Sequence, residues 1–206
     1  STFTLADNKT CGRVASDRYE VRIVDQDDRE VPHGVPGEAV VRTSVPWMLM
    51  AGYWQNPEAT AYAWRNQWVH SGDIMMRDEA GNFTFVDRVK DAIRRRGENI
   101  SSMEVEAEVL AHPAILECAV VPVASGDTEQ EVMAVVALKP GASMAPEELI
   151  GFLDGRMARF MIPRYVDIIE AMPKTPTGKI QKYVLRECGL TSSTWDREQA
   201  GIKLKR

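Results

Sequence analysis

The sequence predicts an α+β fold in two parts, a small β region followed by a compact α+β domain, and three observations carry that prediction. Strand-like runs separated by turn formers fill the first part, as in YEVRIV and EAVVRT around DQDDREVPHGVPG. Beyond Lys90 the pattern reads strand, helix, strand, strand, helix, strand. The change of style itself falls near Lys90, so the domains are expected at 1–89 and 90–206.

In chain order, strands are expected at 19–24 and 38–43, and the β region continues through WMLMAGYW and NFTFVDR. A short helix fits Pro57 to Trp64, because Asn56 is a capping residue and proline suits the first helical position. Ser101 and Glu104 have capping-box spacing, Ile100 is placed as a staple, and Val105, Val109 and Leu110 form an apolar stripe, so a helix is expected over about 102–111. ECAVVPV at 117–123 and EVMAVVAL at 131–138 read as strands separated by Ser125-Gly126-Asp127. A second helix starts at Pro146, carries Leu149, Ile150, Phe152, Leu153 and Met157 on one side, and stops before Pro163. YVDIIE at 165–170 is a further strand, and YVLREC a final short helix capped by Gly189.

Composition narrows the function classes. With 206 residues and 44% hydrophobic content, the chain can bury real cores. A formal charge of -5 argues against a general nucleic-acid or membrane-surface binder, and Arg94-Arg95-Arg96 lacks the interleaved aromatics of a nucleic-acid site. Cys11, Cys118 and Cys188 are widely spaced with no CxxC, so neither a disulfide frame nor a zinc site is expected, and a reducing cytoplasm is the expected location. No apolar run reaches transmembrane length. The chain begins at Ser1 rather than a methionine, which fits a trimmed chain or the back portion of a longer one.

Three stretches invite a chemical reading. In PKTPTGKI, two prolines, two threonines and a glycine put Lys179 at the tip of an expected mobile loop. It is not a phosphate loop, since position 173 is proline where that motif needs glycine and position 180 is isoleucine where it needs Ser or Thr. In WVHSGD, the plain reading is a turn, with His70 structural; the chemical one gives Asp73 two acceptor oxygens for the hydroxyls of a ribose. In FVDRVKDAIRRRGENI, the plain reading is a solvated charged hairpin. The chemical one offers the Arg88 fork to a phosphate or sugar and uses Gly97 where another molecule passes close.

Taken in order, SGD, DRVKDAIRRRGENI and PKTPTGKI, together with GEAVVRTSVPWMLMAGYWQNPEAT, resemble the C-terminal part of the adenylate-forming enzymes, which include acyl-CoA synthetases, luciferases and peptide-synthetase adenylation domains. The resemblance runs from about Gly12 to Arg186. It implies a β-barrel-like subdomain ending a large domain, then a complete, mobile α+β C-terminal domain hinged at Lys90. It implies a reaction in which a carboxylate attacks Mg-ATP to give an acyl-adenylate and pyrophosphate, after which coenzyme A displaces AMP. Asp73 and Arg88 would contact the nucleotide, Lys179 would be the catalytic lysine of the first step, and Arg96, Gly97 and Asn99 would line the coenzyme A path.

There are departures. Ser71 stands where the family most often has threonine, and the family's phosphate loop, adenine-contacting segment and Tyr-Thr-Glu magnesium motif do not occur here. Magnesium and the acyl group would therefore be held mainly by a preceding N-terminal domain, and the chain alone would be inactive. RRRGENISSMEVE resembles the acyl-CoA synthetases rather than the peptide-synthetase adenylation domains, and RMARFMIPRYV followed by PKTPTGKIQK is similar to the group of crotonobetaine/carnitine-CoA and medium-chain or aryl-CoA ligases. Two alternatives stand beside this: an adenylation domain loading a carrier-protein thiol, and a non-catalytic AMP-binding or docking module.

Overall fold

The computed structural model describes residues 10–95, 97–125 and 129–204. The chain divides into two compact units, Ser1–Lys90 and Asp91–Arg206, and both strands and helices are present, as the α+β class requires.

In the first unit, strands β1 (Tyr19–Val24), β2 (Gly37–Thr43), β3 (Val69–Arg77) and β4 (Phe83–Arg88) form one antiparallel sheet in chain order. Among the described residues the sheet is open, so the barrel-like expectation reduces to a four-stranded meander. Ile23, Ala39 and Phe83 bury one apolar cluster, with Val21, Val31 and Met75 packed against it. Around Trp68, Arg22 and Arg42 place their guanidinium carbons 4.9 and 4.3 Å from its ring centroid. Glu20 bridges the two arginines. Helix α1 (Pro57–Ala63) starts as its sequence suggests, with Asn56 Oδ1 accepting from Ala59 N at 3.0 Å and proline in the first turn.

The apolar WMLMAGYW stretch does not continue the sheet; turns and irregular backbone occupy 44–56. Tyr53 N donates to Thr60 Oγ1 at 2.9 Å, a local side-chain partner that takes the place of a ladder bond. Gly52 is required here, because a Cβ would lie 2.7 Å from the Thr60 methyl and φ is +152°.

The second unit opens with a short hairpin, β5 (Ile93–Arg95) and β6 (Glu98–Ile100), followed by helix α2 (Ser102–Leu110). Ser101 Oγ accepts from Glu104 N at 3.3 Å, and Ile100 and Val105 are buried in one cluster, as cap and staple demand. Strands β7 (Ile115–Ser125), β8 (Glu129–Leu138) and β9 (Tyr165–Ile169) build the central sheet, with β7 antiparallel and β9 parallel to β8. Helix α3 (Pro146–Leu153) ends earlier than its apolar stripe suggests, and Met157, bridged to Asp154, packs against the core from beyond it. The separator Gly126-Asp127 lies outside the described residues. Helix α4 (Lys182–Cys188) ends at Gly189, whose φ is +59°.

The central strands run apolar in both parities because both faces of the sheet are covered. Val120, Val132, Ala134, Val136 and Val166 face α2, α3 and the β5–β6 hairpin. The intervening Ala119, Val121, Met133, Val135, Ala137 and Tyr165 pack with Met172, Ile180 and Leu185 on the opposite face.

One element escaped the sequence reading. Strand β10 (Trp195–Asp196) adds antiparallel to β9, closing that edge, and Arg164 grips Asp196 through Nε at 3.2 Å and Nη2 at 3.0 Å. Burial alone would raise the Asp196 carboxyl, but the bonds from Arg164 and from Glu198 N hold it below its ordinary value. A carboxyl depressed in the fold contributes stability above its unfolded pKa and loses it as pH falls through the folded value. The expected outcome for Arg164→Met is a lower urea midpoint than wild type at neutral pH, with the gap closing below about pH 4; urea titrations across that range check it.

Candidate functional site

In the first unit, SGD is part of strand β3 rather than a turn. Asp73 pairs across the ladder with Arg88 of β4, which the sequence alone did not foretell, and Arg88 Nε lies 3.7 Å from Asp73 Oδ1. Both side chains stay accessible, Arg88 at 71% and Asp73 at 35%, so carboxylate and guanidinium form an open, loosely paired couple. Such a couple can present acceptors and a donor fork side by side to a sugar and its phosphate.

Glu38 of β2 organises the backbone beneath this couple. Its Oε1 accepts from Gly72 N at 3.0 Å, while Oε2 accepts from Arg65 Nη2 at 2.7 Å and sits 2.9 Å from His70 Nδ1. His70 is buried in this network, in keeping with a structural role. The sequence reading left Glu38 without a role, and the structure shows it holding Gly72, Arg65 and His70 together.

Lys90 is exposed and lies between two anchored neighbours. Val89 N donates to Gly72 O at 2.9 Å, fixing that residue to the first unit. The Asp91 carboxylate pairs with Arg186 of α4, fixing the next one to the second unit.

The PKTPTGKI stretch is an ordered hairpin, not the loose loop its composition suggests. Gly178 N donates to Thr175 O at 2.9 Å and Thr175 N to Lys179 O at 2.8 Å, with Lys174 and Ile180 bridged beyond them. This is the three-residue hairpin turn closed by a left-handed glycine, here Gly178 with φ +84°. Pro176 and Thr177 sit at the turn's centre, and Thr175 Oγ1 accepts from Lys179 N at 3.1 Å.

Three lysines surround the hairpin, and they differ. Lys174 Nζ lies 2.5 Å from Glu117 Oε1 of β7. Lys182 Nζ lies 2.7 Å from Glu106 Oε1 and donates to Ser102 Oγ at 2.8 Å. Glu106 Oε1 also accepts from Val120 N at 2.7 Å, so this pair covers the open edge of β7. Lys179 is exposed and has no ion pair or side-chain hydrogen bond among the described residues. The flanking cations fix the hairpin and the middle one is left available.

The Gly97 hairpin carries the remaining candidates. Gly97 has φ +83° and an added Cβ would meet nothing within 4 Å, so the backbone conformation, not crowding inside the chain, calls for glycine. Asn99 is exposed opposite Arg94 in the ladder. Arg96 lies outside the described residues. Arg95 does not belong to a solvated charge run at all; it is 3% exposed. Among the described residues no group of three or more His, Cys, Asp or Glu is placed to hold a metal ion, and no helix is long and apolar enough to cross a membrane.

With this geometry in hand, likeness to known proteins is informative. Residues 104–179 match the family described as the AMP-binding enzyme C-terminal domain. The chain is 38% identical over 168 residues to a long-chain-fatty-acid–CoA ligase of Escherichia coli O6:H1, covering 82% of this chain and 29% of that protein. It is 36% identical over 169 residues to a crotonobetaine/carnitine–CoA ligase of Citrobacter koseri, covering 82% of this chain and 33% of that one. The crystal structure of ATP bound MatB from Rhodopseudomonas palustris is similar with a TM-score of 0.74 at 31% identity, over 87% of this chain and 35% of that one. Residues 104–179 thus match the AMP-binding enzyme C-terminal domain, and the chain is similar to the corresponding part of these CoA ligases. It spans about a third of the length of the curated relatives it matches.

Gly178→Ala should cost about 1 kcal/mol through its left-handed backbone alone, since no atom lies within 4 Å of the added carbon. Urea unfolding of this chain measures the loss, and amide exchange at Thr175 and Lys179 reports whether the hairpin opens.

Proposed function

We propose that this chain is the C-terminal portion of an ATP-dependent acyl-CoA synthetase. The reaction joins a carboxylate and ATP into an acyl-adenylate with release of pyrophosphate; the coenzyme A thiol then attacks the acyl carbon and AMP leaves. The names of the similar ligases support the class, and on this reading the acyl pocket and most of the ATP site would lie outside this chain. Residues of that outside region would also hold magnesium, which would supply charge compensation for the phosphates.

Within the chain, Asp73 would accept from the ribose hydroxyls, and Arg88 would hold the same nucleotide. Lys179 would bring its ammonium to the α-phosphate as negative charge gathers in the first step. Arg96, Gly97 and Asn99 would line the path of the pantetheine arm in the second step. Gly97 leaves open space where a side chain would otherwise stand.

One observation carries the two-step reading. The Gly97 hairpin packs on one face of the β7–β8–β9 sheet, whereas the Lys179 hairpin, through Met172, Ile180 and Leu185, packs on the other. These opposite placements support a reading in which the second unit changes orientation between the half-reactions. Lys90, exposed between an anchored Val89 and an anchored Asp91, would be the pivot.

Loading of a carrier-protein thiol is the second reading. The resemblance of GENISSMEVE to the acyl-CoA synthetases favours coenzyme A, and comparing free coenzyme A with a carrier protein as acceptor separates the two. A non-catalytic module would bind AMP without either half-reaction.

Lys179→Ala in the full-length protein should lower acyl-adenylate formation about 100-fold or more, while thioester formation from supplied acyl-adenylate stays within about twofold. Pyrophosphate exchange and single-turnover thioester assays measure the two steps, and equal loss in both would contradict the assignment.

A further inference from the structure

Arg95 lies in a hairpin with charged neighbours on both sides, yet it is among the most buried charged residues of the chain, at 3% exposure. Its Nη1 donates to the backbone oxygens of Phe160 at 2.8 Å and Ile162 at 3.3 Å. Its Nε lies 2.7 Å from Glu131 Oε2, an ion contact whose alignment falls short of a good hydrogen bond. Glu131, on β8, is itself only 4% exposed. One residue earlier, Arg94 N donates to Gln130 Oε1 at 2.8 Å. The first strand of the hairpin is thereby fastened to the start of β8 and to the turn at 159–162.

A second guanidinium belongs to this buried group. Arg197, just after β10, is 6% exposed, and burial together with the charge of Arg95 pushes its pKa down, while Glu198 and Glu131 act in the opposite sense.

Stability does not explain why an arginine is here. A buried ion pair costs several kcal/mol in desolvation, and apolar replacements of similar volume are often neutral or stabilising. What the guanidinium supplies and an apolar side chain cannot is direction: one rigid fork joins a carboxylate and two carbonyls from separate chain segments. The hairpin needs that, because two strands of three residues each do not hold their own geometry.

We propose that Arg95 is a positioning residue for the thioester-forming step, holding the β5–β6 turn through Glu131 and the Phe160 and Ile162 carbonyls so that Gly97 meets the pantetheine arm in a fixed pose. This rests on the reading of the Gly97 hairpin as part of the coenzyme A path. Arg95 touches no substrate itself. It acts through the backbone that it orients.

The test uses the full-length protein with Arg95→Met and, as a variant that keeps the charge, Arg95→Lys. Pyrophosphate exchange should remain within about twofold of wild type in both. With supplied acyl-adenylate, kcat/KM for coenzyme A should fall about 10- to 100-fold in Arg95→Met, mostly through KM, the scale expected when a site is displaced by about 1 Å. Arg95→Lys should recover part of that loss by keeping its contact with Glu131. In this chain alone, amide exchange at Arg95 and Glu98 should quicken in Arg95→Met while β7 and β8 stay protected. Parallel loss of both half-reactions, or no loss in either, would overturn the positioning role. Absence of both half-reactions in wild type would instead overturn the functional reading and this inference with it.

Discussion

The covered, two-sided sheet is the constraint from which the rest of the second unit follows. β8 has neighbours on both edges and apolar side chains on both faces, so helices α2 and α3 must close one side and α4 with its preceding hairpin the other. Burial on that scale is what fixes the two short hairpins, neither of which would persist alone. It also fixes them on opposite faces. That opposition is the observation on which the proposed use of one hairpin in each half-reaction rests.

Charge then separates scaffold from site. Lys174 and Lys182 are held by Glu117 and Glu106, Arg164 by Asp196 and Arg186 by Asp91, while Arg95 is taken into the interior by Glu131. Lys179 stays exposed, and Arg88 is only loosely coupled to Asp73, so both keep an accessible charge. In the proposed role at the α-phosphate, Lys179 would be carried by the closed Thr175–Lys179 turn.

Much of this was legible in the sequence where local rules decide. Asn56-Pro57 and Ser101 with Glu104 announced helix starts, and the apolar runs around Val120 and Val135 announced strands. Where long-range partners decide, the sequence was silent. Arg95 looks like Arg94 and Arg96 until Glu131 and two distant carbonyls are brought to it. Asp73 and Arg88 look independent until β3 and β4 pair, and Trp195-Asp196 carries too few residues to signal a strand without Arg164. The proline and threonine content of PKTPTGKI suggested looseness, but the same residues are those a tight turn requires once Gly178 takes its left-handed φ.

The central claim is that each hairpin serves one half-reaction only, and the most direct measurement is the pair of half-reaction rates for Gly97→Val in the full-length protein. A branched side chain at that left-handed position both strains the turn and fills the open space beside it. The account predicts that acyl-adenylate formation persists while transfer to coenzyme A is lost. Loss of both steps together, with the fold intact, would contradict it.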